Sequence, residues 1–221
     1  MWLKNFIKSN LFFFLPFFAL VATGGILLNE YSKEVLLLSV NSRFSAFGDV
    51  FFRYYTHMGD GVTYLIFGVL IFVFVSKYKG MLMIACYAST SIPVQIIKRF
   101  AFEENHRPRA HFWFDSHRLH FPEGVEVLVS HSFPSGHSAT AFSMFLLFSY
   151  FKKDKTLSLL CFIMAVLVAY SRMYLAAHFF ADVYGGALIS VCITLVVVYF
   201  FEKKFKFSEK EQLEKGLLNI R

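Results

Sequence analysis

The chain has 221 residues, 57% of them hydrophobic, with 30 Phe and a formal charge of +7. Soluble domains carry ~45–50% apolar residues; here the excess falls into long blocks, which excludes an ordinary soluble domain. The positive charge alternates with those blocks instead of forming one stripe, which excludes a nucleic-acid surface.

A spanning helix needs ~20 mostly apolar residues. Six blocks meet or approach that length: 11–28, 61–76, 80–97, 138–151, 157–170 and 182–201. Lipid offers the backbone no hydrogen-bond partner, so each is predicted to be helical. The second, fourth and fifth are short, and Lys77, Lys152 and Lys155 beside them can snorkel to the surface. Lys4 and Lys8 before the first block also suit a cleaved signal peptide, but the apolar run exceeds the usual h-region and no small-x-small site follows. The expected fold class is all-α: an integral membrane protein with six transmembrane helices and short interfacial helices on the outer face. It forms one domain over 1–221, with a core at 59–201 and a cytoplasmic tail at 202–221.

Residues 30–60 hold apolar stretches too short to span, which fit amphipathic helices at the outer surface. Asp60, between Gly59 and Gly61, is placed to cap the second block. The longest polar stretch, 98–133, contains His111-Phe-Trp-Phe-Asp-Ser-His-Arg-Leu-His-Phe-Pro122. This mixture suits a membrane–water interface, as an aromatic anchor or as a lip over a lipid site. In the tail, Ser208 to Glu211 has the form of a capping box. Cys86, Cys161 and Cys192 all fall inside apolar blocks, so they are read as packing residues.

The lysines set the orientation. Lys4 and Lys8, Lys77 and Lys79, Lys152, Lys153 and Lys155, and Lys203, Lys204, Lys206 and Lys210 all fall on one side of six spans. The positive-inside rule makes that side the cytoplasm, with both termini, and turns 29–60, 98–137 and 171–181 outward. The expected location is a bacterial inner membrane, with the functional face toward the periplasm or exterior.

Three polar clusters adjoin the outward ends of the blocks. The first is Lys98 and Arg99, then Arg107-Pro108-Arg109. The second is Pro134-Ser135-Gly136-His137, directly before the fourth block. Pro and Ser at a helix start leave backbone N–H groups free, Gly lets a ligand approach them, and the helix dipole favours an anion there. His137 stands where it can give that anion a proton; the plainer alternative is a helix cap with an interfacial His. The third is Ser171-Arg172, then His178, then Asp182. His178 and Asp182 are four apart and share a helix face. A carboxylate on one imidazole nitrogen leaves the other free as nucleophile or base; taken alone, a structural His–Asp bond explains the pair as well. Arg172 adds a guanidinium, whose fork matches phosphate oxygens. Charges near membrane depth are costly, so three such clusters on one side point to function.

With these residues in place, the chain resembles the type 2 phosphatidic acid phosphatase family, the lipid phosphate phosphatases, whose site also occurs in glucose-6-phosphatases and vanadium haloperoxidases. The family signature has three parts: K-x6-R-P, P-S-G-H and S-R-x5-H-x3-D. The second and third match without deviation as Pro134–His137 and Ser171-Arg172-x5-His178-x3-Asp182. The first departs, with eight residues between Lys98 and Arg107. Lys98 is the expected counterpart, with Arg99 or Arg109 as substitutes for the phosphate contact.

The resemblance implies metal-independent hydrolysis of a lipid phosphate or pyrophosphate. It makes His178 the nucleophile that forms a phosphohistidine, Asp182 its orienter, and His137 the acid that protonates the leaving oxygen and then activates water. Lys98, Arg107, Ser135, Gly136 and Arg172 then hold the phosphoryl oxygens. No cofactor and no metal is implied. The other outward histidines, His57, His106, His111, His117, His120 and His131, lack metal-ligand spacing. The expected partners are a phosphorylated membrane lipid and the bilayer, with no nucleic acid; the oligomeric state is left open. Undecaprenyl pyrophosphate, phosphatidylglycerol phosphate, phosphatidic acid and lipid A phosphate all remain candidate substrates. A transporter or flippase that binds without hydrolysis is the competing class, although no inverted repeat is visible and the charges sit at one surface.

Overall fold

The computed structural model describes residues 1–101, 106–126 and 128–218, and those residues form helices joined by turns, with no strand among them. The chain opens with α1 (Trp2–Ser9), α2 (Leu11–Glu30), α3 (Lys33–Asn41) and α4 (Ala46–Tyr55). It continues with α5 (Gly61–Phe74), α6 (Lys77–Ile96), the short α7 (Pro108–His111), α8 (Gly136–Lys152), α9 (Lys155–Tyr174), α10 (Phe180–Tyr199) and the short α11 (Glu211–Glu214). All six predicted apolar blocks are helices.

By length and apolar character, four helices can cross a membrane: Leu11–Glu30, Lys77–Phe100, Lys155–Tyr174 and Phe180–Lys204. The two remaining blocks fall short of that test. α5 has 14 residues and α8 has 17. α3 and the run Ala46–Gly59 would pass it together, but the chain bends by 112° between them.

The shortness of α8 has a physical reason. It is the central helix, with α6, α9 and α10 packed around it, and most of its side chains are buried in protein. It therefore carries hydroxyls that meet partners on its neighbours. Ser143 shares hydrogen bonds with Tyr64 (3.2 Å) and Thr194 (2.8 Å). Ser149 donates to Asn10 Oδ1 (3.0 Å) and shares a second hydrogen bond with the Ser158 hydroxyl (2.7 Å). Small and hydroxylated residues at such interfaces let membrane helices pack closely.

These bonds also orient the bundle. Asn10 at the start of α2, Ser149 near the end of α8 and Ser158 near the start of α9 meet at one end. Trp2 donates to Glu202 there (2.8 Å), and Ser76 before α6 donates to the Leu213 carbonyl (3.0 Å). That end carries the lysines at 77, 79, 152, 153, 155, 203 and 204. The starts of α5, α8 and α10 and the ends of α6 and α9 lie at the other end, where all three polar clusters gather.

Local expectations divide. Asp60 caps α5, its side chain accepting from Val62 N (3.3 Å). The tail pattern does not cap a helix as expected: Ser208 lies inside the 3-10 turn Phe207–Glu209, and Lys210 precedes α11 without a side-chain cap. Phe207 meets Phe201 edge-to-face and stacks on Phe205, and this aromatic packing overrides the four-residue pattern.

α10 docks on the start of α8 through a glycine. A Cβ on Gly186 would lie 2.5 Å from the Ser135 carbonyl oxygen, which is backbone and cannot yield. A Cβ on Gly25 in α2 would meet only the Tyr184 hydroxyl, at 3.7 Å. Gly186→Ala should therefore destabilise the protein by about 1–3 kcal/mol, and Gly25→Ala should cost nothing. Thermal unfolding of both variants in detergent checks the contrast.

Candidate active site

The site is built on Asp182 in the first turn of α10. One of its oxygens, Oδ2, accepts from the backbone N–H of Phe179 (2.8 Å) and from Ser132 Oγ (2.5 Å), and faces His178 Nδ1 at 3.4 Å. Its own carbonyl accepts from Ser135 N (2.9 Å), which ties the start of α10 to the start of α8. His178 reaches this position through a tight turn after α9. Ala176 adopts φ 50°, and the N–H groups of Ala177 and His178 fold back onto the Arg172 carbonyl at 2.9 and 3.1 Å. The turn thus sets Arg172 and His178 on one side of the same corner.

Three cations surround the pair. Arg107 donates to the Ser130 carbonyl (2.9 Å) and the Ala177 carbonyl (3.3 Å). Arg172 donates to Thr56 Oγ1 (2.7 Å), and its Nε is buried without a partner. Lys98 lies close enough to Arg107, Arg172 and Asp182 to feel all three charges. Exposure is low throughout: His178 1%, Asp182 3%, Arg107 6%, Lys98 8%. Burial first, and then the positive charges of Arg107, Arg172 and Lys98, hold the His178 imidazole well below the usual range. His178 is therefore neutral, the form a nucleophile or base requires.

α6 ends in a π turn, Ile97–Ala101, and such turns recur at functional sites. Lys98 and Arg107 both reach the buried cluster. Arg99 is exposed, and exposed Arg109 lies over the Phe121 ring (5.9 Å), so neither substitute joins it. Residues 102–105 of this interval lie outside the described residues.

Ser135 and Gly136 take different parts. Ser135 is fully buried, and its hydroxyl accepts from Ser138 N (3.4 Å) and Ser138 Oγ (3.1 Å), so its side chain caps α8. Among the described residues, the backbone N–H groups of Gly136 and His137 have no hydrogen-bond acceptor. A Cβ on Gly136 would meet nothing within 4 Å. The free N–H groups thus face open space at the positive end of α8, with His137 beside them. Ser132 and Thr56 were not foreseen. Both hold the cluster from distant loops and belong to no local pattern; only the spatial contact reveals them.

Farther out, the polar stretch is pinned to α3 and α4. His111 bonds Glu34 (2.7 Å), His120 bonds Asp49 (2.9 Å), and Asn41 bridges His120 and Tyr174. Trp113 and Phe114 remain exposed. Among the described residues, no three His, Cys, Asp or Glu side chains come close enough to hold a metal ion.

The fold and site together define a membrane-embedded phosphatase. The chain belongs to the PAP2 superfamily, whose family model matches residues 79–206. It is 29% identical over 168 residues to phosphatidylglycerophosphatase B of Bacillus subtilis (strain 168), which covers 70% of this chain and 76% of that one. It is 34% identical over 113 residues to a PA-phosphatase related-family protein of Dictyostelium discoideum, covering 43% of this chain and 41% of the relative. Among solved structures it is similar to Aquifex aeolicus LpxE, with TM-score 0.63 and 25% identity, over 77% of this chain and 98% of that one. It also shares its fold with a transmembrane PAP2-type phosphatidylglycerolphosphate phosphatase from Bacillus subtilis, with TM-score 0.62 and 24% identity over 88% and 96% of the two chains.

An anion should complete this cage without any turnover. Vanadate at a hundredfold excess over its Kd should stabilise the protein by about 2.7 kcal/mol. Gly136→Val, which meets no neighbour, should leave the unliganded melting temperature in place and remove the vanadate-induced rise. A rise that survives Gly136→Val would place the anion elsewhere.

Proposed function

We propose that this chain hydrolyses a phosphate from a membrane lipid through a phosphohistidine on His178. The supporting observation is the charge imbalance at the site: three buried or half-buried cations, Lys98, Arg107 and Arg172, stand against two carboxylates, Asp182 and, toward Arg172, Asp60. Buried charge without a partner is costly, so such a cluster is made to receive an anion. A phosphoryl group held there meets the neutral imidazole of His178 on one side and His137 with the free α8 N–H groups on the other.

The reaction then runs in two steps. The free nitrogen of His178 attacks phosphorus, and the bond from phosphorus to the lipid oxygen breaks. His137 in its protonated form gives that oxygen a proton, and the lipid leaves as an alcohol. Neutral His137 next takes a proton from water, which attacks phosphorus and breaks the bond to His178. Inorganic phosphate leaves and His178 is restored. Asp182 steadies the positive imidazole formed between the steps. Lys98, Arg107, Arg172 and the N–H groups of Gly136 and His137 hold the charge on the equatorial oxygens. Ser135 contributes by fixing the start of α8.

In the same reading, α2, α5, α6, α8, α9 and α10 are six spans of one membrane-embedded domain. The lysine-rich end, with both termini, faces the cytoplasm of a bacterial inner membrane, and the site faces outward. α3 and α4 lie at the outer surface, and the lipid tails stay in the bilayer while the phosphate enters the cage.

Purified protein should release inorganic phosphate from at least one lipid of a mono- and pyrophosphate panel, and should do so undiminished in excess EDTA. His137→Ala should slow release by ~10²–10⁴-fold, and His178→Ala should abolish it together with acid-labile labelling of the protein. Turnover by His178→Ala near the normal rate would end the phosphohistidine reading. Alkaline phosphatase fused after Arg221 should be inactive in cells; an active fusion would invert the topology.

A further inference from the structure

His137 also opens onto a second space. A cavity of about 350 Å³ lies between the start of α5, the outward half of α6 and the start of α8. Its polar wall is made by Asp60, Tyr87, Thr90, Ser91, Gln95 and His137. None of His178, Asp182, Lys98, Arg107 and Arg172 lines it. Gly136 also lines it, so the cavity adjoins the acid of the site and the anion-binding start of α8, while the nucleophile and the cations are not in its wall.

The chemistry of that wall is distinctive. Thr90 is 3% exposed, and its Oγ1 is buried with no hydrogen-bond partner. A buried hydroxyl left unsatisfied is costly, so it is a donor and acceptor waiting for a ligand. Tyr87 and Ser91 add hydroxyls, Gln95 an amide and Asp60 a carboxylate. No lysine or arginine is present among the lining residues described. The flanks Val62 and Gln95 are exposed on the bundle surface, so a lipid can reach the cavity from the side.

Resting on the hydrolase reading above, we propose that this cavity is the leaving-group subsite and that it selects a phosphate monoester on a neutral, hydroxyl-bearing headgroup, a glycerol or a sugar, over a lipid pyrophosphate. The leaving oxygen is the one that His137 protonates, so whatever carries that oxygen must occupy the space beside His137. In a pyrophosphate, that occupant is a second phosphate with its own negative charge. It would meet the Asp60 carboxylate, with no lysine or arginine in the wall to offset it, an arrangement that disfavours it. A polyol instead meets four neutral side chains able to donate and accept, with Asp60 as a further acceptor.

The test compares kcat/KM on four lipids: phosphatidylglycerol phosphate, lipid A 1-phosphate, phosphatidic acid and undecaprenyl pyrophosphate. The wild-type protein should prefer one of the two hydroxylated monoesters to the pyrophosphate by roughly tenfold or more, and the preferred one distinguishes glycerol from sugar. Thr90→Val should lower the ratio of that substrate to phosphatidic acid by about fivefold. Gln95→Lys, at an exposed position, should raise the relative rate on pyrophosphate. A wild-type preference for the pyrophosphate would overturn the proposal, as would a Thr90→Val variant that slows all four lipids equally. Release from none of the four would overturn the hydrolase reading itself, and this subsite with it.

Discussion

The constraint on which this molecule depends is positive charge held at low exposure at one end of a helix bundle. Lys98, Arg107 and Arg172 come from three separate segments, yet they share one small space with only Asp182 and, toward Arg172, Asp60 to offset them. Mutual repulsion would drive such groups apart unless the scaffold held them. Each guanidinium is accordingly tied to fixed acceptors: Arg107 to two backbone carbonyls, Arg172 to Thr56. The Arg172 Nε left without a partner shows that the protein does not satisfy the cluster from within. Burial first, and then the same charge, hold His178 neutral, so the cluster that would receive an anion also favours the uncharged imidazole.

The scaffold that resists this repulsion is unusually interior. α8 is wrapped by its neighbours, and α10 approaches it closely enough that Gly186 stands against the Ser135 carbonyl. Asp182 joins the two helices twice, through its carbonyl to Ser135 N and through its side chain to Ser132 and the Phe179 N–H. The carboxylate that orients His178 is thus also a structural joint. The polar outer stretch is held as well, by Glu34–His111 and Asp49–His120. Arg107 and Ser132 lie at its two ends, so pinning its middle to α3 and α4 also holds both of them over the cage.

Much of this was legible in the sequence, for specific reasons. The six helices showed as blocks because lipid and buried protein both demand apolar residues. The second and third clusters showed because their chemistry needs fixed spacings along one helix end or one tight turn. Other features left no local trace. The central place of α8 depends on partners for Ser143 and Ser149 that lie far away in the chain, at Tyr64, Thr194 and Asn10. The same hydroxyls, read along the sequence, look only like a weak span. The two extra residues after Lys98 broke a spacing rule, yet Lys98 and Arg107 both reach the buried cluster. Arg99 and Arg109 were reasonable substitutes by charge alone; only the direction of their side chains excludes them.

The division of the site into a cationic half and a neutral half follows from the same economy of charge. The cations that stabilise a transferring phosphoryl group already repel one another. A further cation beside His137, where a pyrophosphate would need one, would add to that repulsion and disfavour the protonated imidazole that must act as acid. A wall of hydroxyls and an amide carries no such penalty. In the proposed reading, the cavity beside His137 is thus the kind of leaving-group pocket that a crowded positive cage can tolerate, and the scaffold gains from it a preference among lipid phosphates.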